Sequence, residues 1–173
     1  MFVPAAFASE DPSTLEAMIE RAGLAVLVTH GRDGLFATHL PVLHETGGFL
    51  GHLARANPHR ERAGDGEALL IFPGPQAYVS PAWYPSKAEH GRTVPTWNYE
   101  AVHVYGTLSW FEDRERLLRG IVGVFLTPTR VEVSRKLSQN RDEADRAGVI
   151  AGLSAEPSAQ AHVVAELMSA GAA

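Results

Sequence analysis

Cysteine is absent from the 173-residue sequence, so disulfides, thiolate metal ligands and cysteine nucleophiles are excluded. No apolar run is long enough to form a transmembrane helix. The N-terminal stretch MFVPAAFASEDP lacks the basic and long apolar regions of a signal peptide. The sequence therefore predicts a cytoplasmic protein with no membrane association.

Acidic residues outnumber basic ones, 20 to 15. The net charge is −5, and lysine occurs only at positions 87 and 136. A protein that binds nucleic acid needs a basic face to neutralise phosphates, so the composition argues against direct DNA binding. The balance of 45% hydrophobic and 20% charged residues suits a globular protein with a real core.

Short apolar segments separated by turn residues run through much of the chain. Along residues 101–110, apolar and polar side chains alternate with the period of two that is typical of a strand. Other predicted strands cover 24–30, 35–43, 49–54, 68–74, 76–81 and, as a strand pair or one bent strand, 121–133. This pattern predicts a mainly β protein, an antiparallel barrel or sandwich with peripheral helices.

The predicted helices are few and lie between or after these strands. The first has Asp11 as its N-cap, Pro12 at its first position and Gly23 at its end. The remaining predicted helices are EDRERLLRG (112–120), NRDEADRAGVIAGL (140–153, with Asn140 as a possible cap) and SAQAHVVAELMSAG (158–171).

Metal and nucleophile chemistry find little support in the sequence. His39, His52 and His103 lie on predicted strands, but no pair has the spacing of a known zinc motif, so we expect hydrogen-bonded structural histidines and no metal. Ser80 is followed by proline, which does not fit a nucleophile elbow.

Three polar or aromatic stretches each allow a structural and a functional interpretation. In GHLARANPHRER (51–62), Arg55 and Asn57 suit a phosphate site, although a solvated loop has the same composition. KLSQNR (136–141) is either a ring around a polar ligand or a strand end with a helix cap. Trp97, Asn98 and Tyr99 form either a pocket wall for a flat ligand or a packed dimer seam.

Five motifs together resemble a known family. ATHLP (37–41), GHLARANP (51–58), YVSPAWY (78–84), VPTWNYEAVHVYG (94–106) and KLSQNR (136–141) are similar, in this order, to the PaiB family. These proteins are FMN-binding negative transcriptional regulators within the split-barrel group that includes pyridoxamine phosphate oxidase. The resemblance covers most of residues 1–153, which we expect to form an FMN-binding split-barrel domain, and leaves 154–173 as a C-terminal helical tail.

The resemblance implies a homodimer of split β-barrels, each with six or so antiparallel strands, and FMN bound at the interface. It implies a phosphate cradle, a wall beside the flavin, a ring slot and a further polar set at the phosphate or flavin edge. The phosphate cradle would be formed by Arg55 and Asn57, and the wall beside the flavin by Thr38, His39 and His52. The ring slot would be formed by Trp83, Trp97 and Asn98. The further polar set would be Lys136, Ser138 and Gln139.

The chain also departs from the family pattern. Members usually carry a longer segment between the strand that ends near Trp110 and the strand that begins at Ile121, and a tryptophan before KLSQN. We expect these differences to affect the shape of the pocket.

The resemblance and these departures together allow three functions. The first is an FMN-binding negative transcriptional regulator of the PaiB type, which we expect to act through a small-molecule effector. The second is a flavin-dependent oxidoreductase acting on a small molecule, in which His39, His52 or Tyr99 handles protons. The third is a scaffold that has lost FMN and binds another planar ligand such as haem.

Overall fold

A computed structural model describes residues 1–91, 93–112 and 120–171. Within these residues the strands are β1 Leu24–Gly31, β2 Gly34–Glu45, β3 Gly48–Ala54, β4 Ala68–Val79, β5 Thr96–Phe111 and β6 Ile121–Lys136. The α helices are α1 Pro12–Ala22, α2 His59–Arg62, α3 Lys87–His90, α4 Glu143–Ala155 and α5 Ala159–Ala170. Short 3-10 turns cover Ala5–Phe7 and Pro81–Trp83.

The six strands form one closed barrel in the order β1-β2-β3-β6-β5-β4. β1 pairs antiparallel with β2 and, on its other side, with β4. β3 pairs antiparallel with β2 and with β6. The predicted mainly β barrel with six antiparallel strands is therefore confirmed.

The first helix begins and ends where the sequence predicts. The Asp11 side chain accepts hydrogen bonds from the backbone N–H groups of Ser13 and Thr14, and Gly23 ends the helix with a φ of 64°. Hydrogen bonds from Thr14 and Ser13 lower the pKa of Asp11 to about 2, because they stabilise the charged carboxylate.

Two details of the predicted elements are wrong. The predicted strands 68–74 and 76–81 are one strand, β4, which runs through Pro73–Pro75. Gly74 makes this possible, since a Cβ there would lie 2.8 Å from the Cβ of Glu100. Asp142, and not Asn140, caps α4 by accepting a hydrogen bond from the backbone N–H of Asp145.

The last predicted strand region is a single strand, β6. The helix predicted over 112–120 falls mainly on residues 113–119, which lie outside the described part of the chain.

The chain divides into two compact units, each with its own core. The first unit contains Met1, Asp11–Pro73 and Val102–Glu132, and the second contains Phe2–Glu10, Gly74–Ala101 and Val133–Ala173. Buried side chains of the first unit include Leu27, Leu40, Phe49, Leu70, Val104 and Leu126. The core of the second unit includes Val79, Val149, Leu153, Val164 and Met168, so α4 and α5 both contribute to it.

Whether 154–173 behaves as a separate tail stays a prediction. None of the described helices is long and apolar enough to cross a membrane.

Candidate functional site

A cleft of about 860 Å³ lies in the first unit, along β2, β3 and β6. Leu43 of β2, which is 64% exposed, is paired with Leu50 of β3, and Leu50 is in turn paired with Phe125 of β6. Because side chains alternate along a strand, Pro41 and His52 share this outer face with them. The mostly apolar lining and the volume suit a small organic ligand or cofactor.

Phe111 forms another part of the cleft lining. In the register of β3 and β6, His52 is opposite Gly123. A Cβ at Gly123 would overlap the Phe111 ring, so this glycine lets the ring approach the β6 backbone. The cleft therefore has an aromatic ring and an exposed imidazole among its lining groups.

Two arginines and one glutamate form a charged cluster in the same unit. Arg55 contacts one carboxylate oxygen of Glu112 at 2.8 Å, and Arg60 contacts the other. These hydrogen bonds, the one from Arg55 first, hold the pKa of Glu112 below its usual value. Arg55 follows His52 by three residues and Glu112 follows Phe111 directly, so the cluster lies close to the cleft.

A second polar network fixes the loop after β3. The His59 backbone N–H donates to Asn57 Oδ1 over 3.0 Å, and Asn57 Nδ2 donates to Thr38 Oγ1 over 3.3 Å. His59 Nδ1 lies 2.8 Å from Thr38 Oγ1, and its Nε2 lies 3.0 Å from Thr29 Oγ1. The ring is fully buried, and burial lowers the pKa of His59, which favours its neutral form.

Asn98 and Ser138 meet in the second unit and bind each other. Asn98 Nδ2 lies 2.9 Å from Ser138 Oγ, which donates back to Asn98 Oδ1 over 3.1 Å. Asn98 Nδ2 also contacts Met168 Sδ of α5 at 3.3 Å. Asn98 is 0% exposed, and Ser138 has a φ of 60°, in the left-handed region that a non-glycine residue rarely adopts. Both polar groups are therefore satisfied inside the protein.

Lys136 and Gln139 also form hydrogen bonds within the second unit, mostly with backbone groups. Lys136 Nζ donates to the carbonyl oxygen of Trp97 over 2.9 Å and to the hydroxyl of Thr96. Burial and then the charge of Arg141 lower the pKa of Lys136. Gln139 accepts from the backbone N–H of Leu137 over 2.7 Å and donates to the carbonyl oxygen of Arg135.

The two tryptophans predicted for the ring slot have different surroundings. Trp83 lies against α4, where a Cβ at Gly148 or Gly152 would overlap its carbonyl oxygen or its ring. Trp97 is 49% exposed and contacts Tyr78 edge to face, with the ring centroids 6.3 Å apart. Trp97 and Asn98 are neighbours on β5, so their side chains point to opposite faces of the strand.

The structure thus brings together some of the predicted site residues and not others. In the first unit Thr38 and Asn57 are hydrogen-bonded, while His52 lines the cleft and Arg55 lies close to it. His39 is exposed and lies on the same face of β2 as Pro41 and Leu43, opposite to Thr38, but it is not part of the cleft lining. In the second unit Asn98 and Ser138 are paired.

Four residues beside the predicted site were missed from the sequence. They are His59, Arg60, Phe111 and Glu112. His59 and Arg60 lie within the polar stretch GHLARANPHRER (51–62), but its composition singles out only Arg55 and Asn57. Phe111 and Glu112 are more than fifty residues away from Arg55 along the chain, and no local pattern marks them.

Solved structures with a similar backbone show which fold this chain has. The flavocytochrome Anf3 from Azotobacter vinelandii aligns with a TM-score of 0.60 at 15% identity, over 82% of this chain and 75% of that chain. The FAD and heme binding protein from Mycobacterium smegmatis aligns with a TM-score of 0.57 at 11% identity, over 81% and 78%. The fold is therefore that of the split-barrel proteins.

Sequence comparison then gives the family. The family model described as "Putative FMN-binding domain" matches residues 1–145, so the chain belongs to this family of flavin-binding split-barrel proteins. It is 30% identical to the protease synthase and sporulation protein PAI 2 of Bacillus subtilis (strain 168), over 97% of this chain and 96% of the relative. The resemblance inferred from the five motifs is confirmed.

That alignment spans 209 residues, more than the 173 of this chain, so the relative has additional residues within the aligned region.

Proposed function

We propose that this protein binds FMN in the cleft along β2, β3 and β6. Arg55 would hold the phosphate group, and His52 and Phe111 would lie beside the flavin ring. The observation that carries the proposal is the combination of a mostly apolar cleft of about 860 Å³ with a pair of guanidinium groups close to it in the same compact unit. FMN has the matching parts, a flat ring system and a phosphate.

Asn57 and Thr38 support the same placement. They lie in the loop and strand that flank Arg55, and their hydrogen bonds to the buried His59 keep them in place without a ligand. Because this network orders the loop next to Arg55, binding of a ligand there would lose less entropy.

We further propose a homodimer. Leu43, at the cleft, and Leu24, next to Gly23 of the cleft lining, are 64% and 46% exposed. A second copy placed over this face by two-fold symmetry would cover both leucines.

The biological role that we propose is regulation, as in the PaiB family. The net charge of −5 favours a regulator that acts through a small-molecule effector over one that contacts DNA.

The position of His52 favours a second candidate, a flavin-dependent oxidoreductase. When bound, FMN would supply the electron-transfer chemistry. The His52 imidazole lines the cleft, and imidazole is the side chain that most often donates or accepts protons in enzymes. Reoxidation of the flavin by a small-molecule acceptor, with NAD(P)H as donor, would support this candidate, whereas bound FMN that no donor reduces would eliminate it.

The proposal is tested by identifying the flavin and then removing the phosphate contact. The absorption spectrum and the cofactor released on denaturation distinguish FMN from FAD and haem. Titration with FMN and with riboflavin, which has no phosphate, measures what the phosphate contributes. We expect Arg55→Ala to weaken FMN binding about tenfold or more, since a charge-assisted hydrogen bond is lost, and to leave riboflavin binding unchanged.

Arg32→Ala is the control, because Arg32 is an exposed arginine in the β1–β2 turn. A wild-type protein that binds FMN no more tightly than riboflavin would overturn the proposal. Analytical ultracentrifugation would test the dimer, and a monomer at micromolar concentration would overturn that part.

A further inference from the structure

Glu112 binds both arginines, Arg55 and Arg60, that lie near the cleft where we place the FMN phosphate. Its two carboxylate oxygens are bound separately, one by Arg55 at 2.8 Å and the other by Arg60. Resting on the proposed FMN site, we infer that Arg60 is a second phosphate-binding residue, and that Glu112 competes with the phosphate for both guanidinium groups.

The geometry of the cluster carries this inference. Two guanidinium groups that converge on two oxygens of one anionic group form the arrangement in which arginine binds carboxylates and phosphates alike. Arg60 reaches this point from α2, while Arg55 reaches it from the end of β3. The carboxylate of Glu112 thus marks the place where two oxygens of a phosphate would bind.

Exposure makes the exchange possible. The side chains of Arg55, Arg60 and Glu112 are 47%, 45% and 42% exposed, so water reaches all three. Exposed ion pairs contribute little net stability, and breaking these two would not endanger the fold. A phosphate monoester carries a charge of about −1.5 to −2 near neutral pH, against −1 for the carboxylate, so the phosphate is the stronger partner for two arginines.

This competition has a consequence for ligand choice. A flavin with a terminal phosphate can displace Glu112, whereas riboflavin has no anionic group with which to do so. Glu112 therefore lowers the affinity for FMN. Arg60 raises the preference for FMN over riboflavin.

The test uses fluorescence titration of the full chain with FMN, with riboflavin and with inorganic phosphate as competitor. We expect Glu112→Gln to tighten FMN binding about two- to fivefold, because the competing charge is removed. We expect Arg60→Ala to weaken FMN binding about three- to tenfold, and Arg60→Lys to restore part of the loss. Riboflavin binding should stay the same in all three variants.

Glu61→Gln is the matched control for Glu112→Gln, since Glu61 is an exposed glutamate next to Arg60 on α2 and its change alters the net charge equally. Equal FMN affinities of Glu112→Gln and Glu61→Gln, or of Arg60→Ala and wild type, would overturn the inference. If Arg55→Ala still weakens FMN binding in that case, the proposed FMN site survives. If wild-type protein does not prefer FMN to riboflavin, the proposed site itself fails.

Discussion

Each compact unit contains a pair of polar side chains that bind each other, but the pair is exposed in the first unit and buried in the second. In the first unit, Arg55 and its partner Glu112 are about half exposed, at 47% and 42%. In the second, Asn98 and Ser138 are 0% and 4% exposed and bind each other. An exposed ion pair exchanges its partner at little cost, whereas a buried hydrogen-bonded pair is expensive to open. The first set is therefore suited to a ligand, and the second to holding the fold.

The largest effect on stability should come from removing one member of the buried pair Asn98 and Ser138. We expect Asn98→Ala to lower the free energy of unfolding by about 2–3 kcal/mol, because the buried Ser138 hydroxyl loses its partner. Urea unfolding followed by tryptophan fluorescence measures this change.

Asn57→Ala is the counterpart in the first unit. It should lower stability by about 1 kcal/mol and weaken FMN binding, since Asn57 supports the loop that carries Arg55. The comparison would be wrong if Asn98→Ala kept wild-type stability and lost FMN affinity, because Asn98 would then be a ligand-binding residue.

A pair of glycines gives a second, smaller contrast. A Cβ at Gly152 of α4 would overlap the Trp83 ring, and a Cβ at Gly123 of β6 would overlap the Phe111 ring. Alanine favours a helix over glycine by about 1 kcal/mol, so a net loss of stability in Gly152→Ala must come from the overlap. We expect Gly152→Ala to lower the free energy of unfolding by about 1–2 kcal/mol, because Trp83 is packed against a core.

Gly123→Ala should change stability less and FMN affinity more. Phe111 lines an open cleft, so its ring can move away from the new methyl group and thereby alter the cleft. Thermal unfolding and FMN titration of both variants separate the two effects. The prediction would be wrong if Gly152→Ala and Gly123→Ala lost the same stability and both bound FMN as tightly as wild type.

The sequence predicts the elements well because local periodicity and capping decide them. Along β5, Val102 and Val104 are buried while His103 and Tyr105 are half-buried, as the alternation predicts. The break predicted after Gly74 fails, because proline and glycine usually end strands and the close approach of Glu100 is a nonlocal contact.

The site is harder to predict because its contacts join distant parts of the chain. Arg55 is identified from its motif, but Glu112 lies 57 residues further on and no pattern connects the two. The surroundings of Asn98 also depend on a remote element, since its side chain contacts Met168 of α5. Composition shows that a segment is polar, and only the packing around it shows whether its polar groups face a ligand or each other.

The His59 network makes the comparison sharper, because it is a buried polar set within the first unit. Burial lowers the pKa of His59 below 6.5, so the folded protein favours the neutral ring. As the pH falls below about 6.5, the unfolded chain takes up the proton first, and the free energy of unfolding decreases. Stability is therefore complete above this pH and is lost progressively towards the lower pKa of the folded state.

We expect His59→Gln to reduce this pH dependence between pH 7 and pH 5, measured by urea unfolding at each pH. His103→Gln is the control, since burial also lowers the pKa of His103, and its removal should leave the His59 contribution in place. The FMN affinity of wild-type protein should stay level while the folded ring is neutral and fall only at the lower pH where the folded ring takes up a proton, because a protonated His59 no longer accepts a hydrogen bond within the network that positions Thr38 and Asn57. A pH dependence of stability that is the same in His59→Gln and wild type would contradict this prediction, because it would mean that folding does not change the proton equilibrium of the His59 ring.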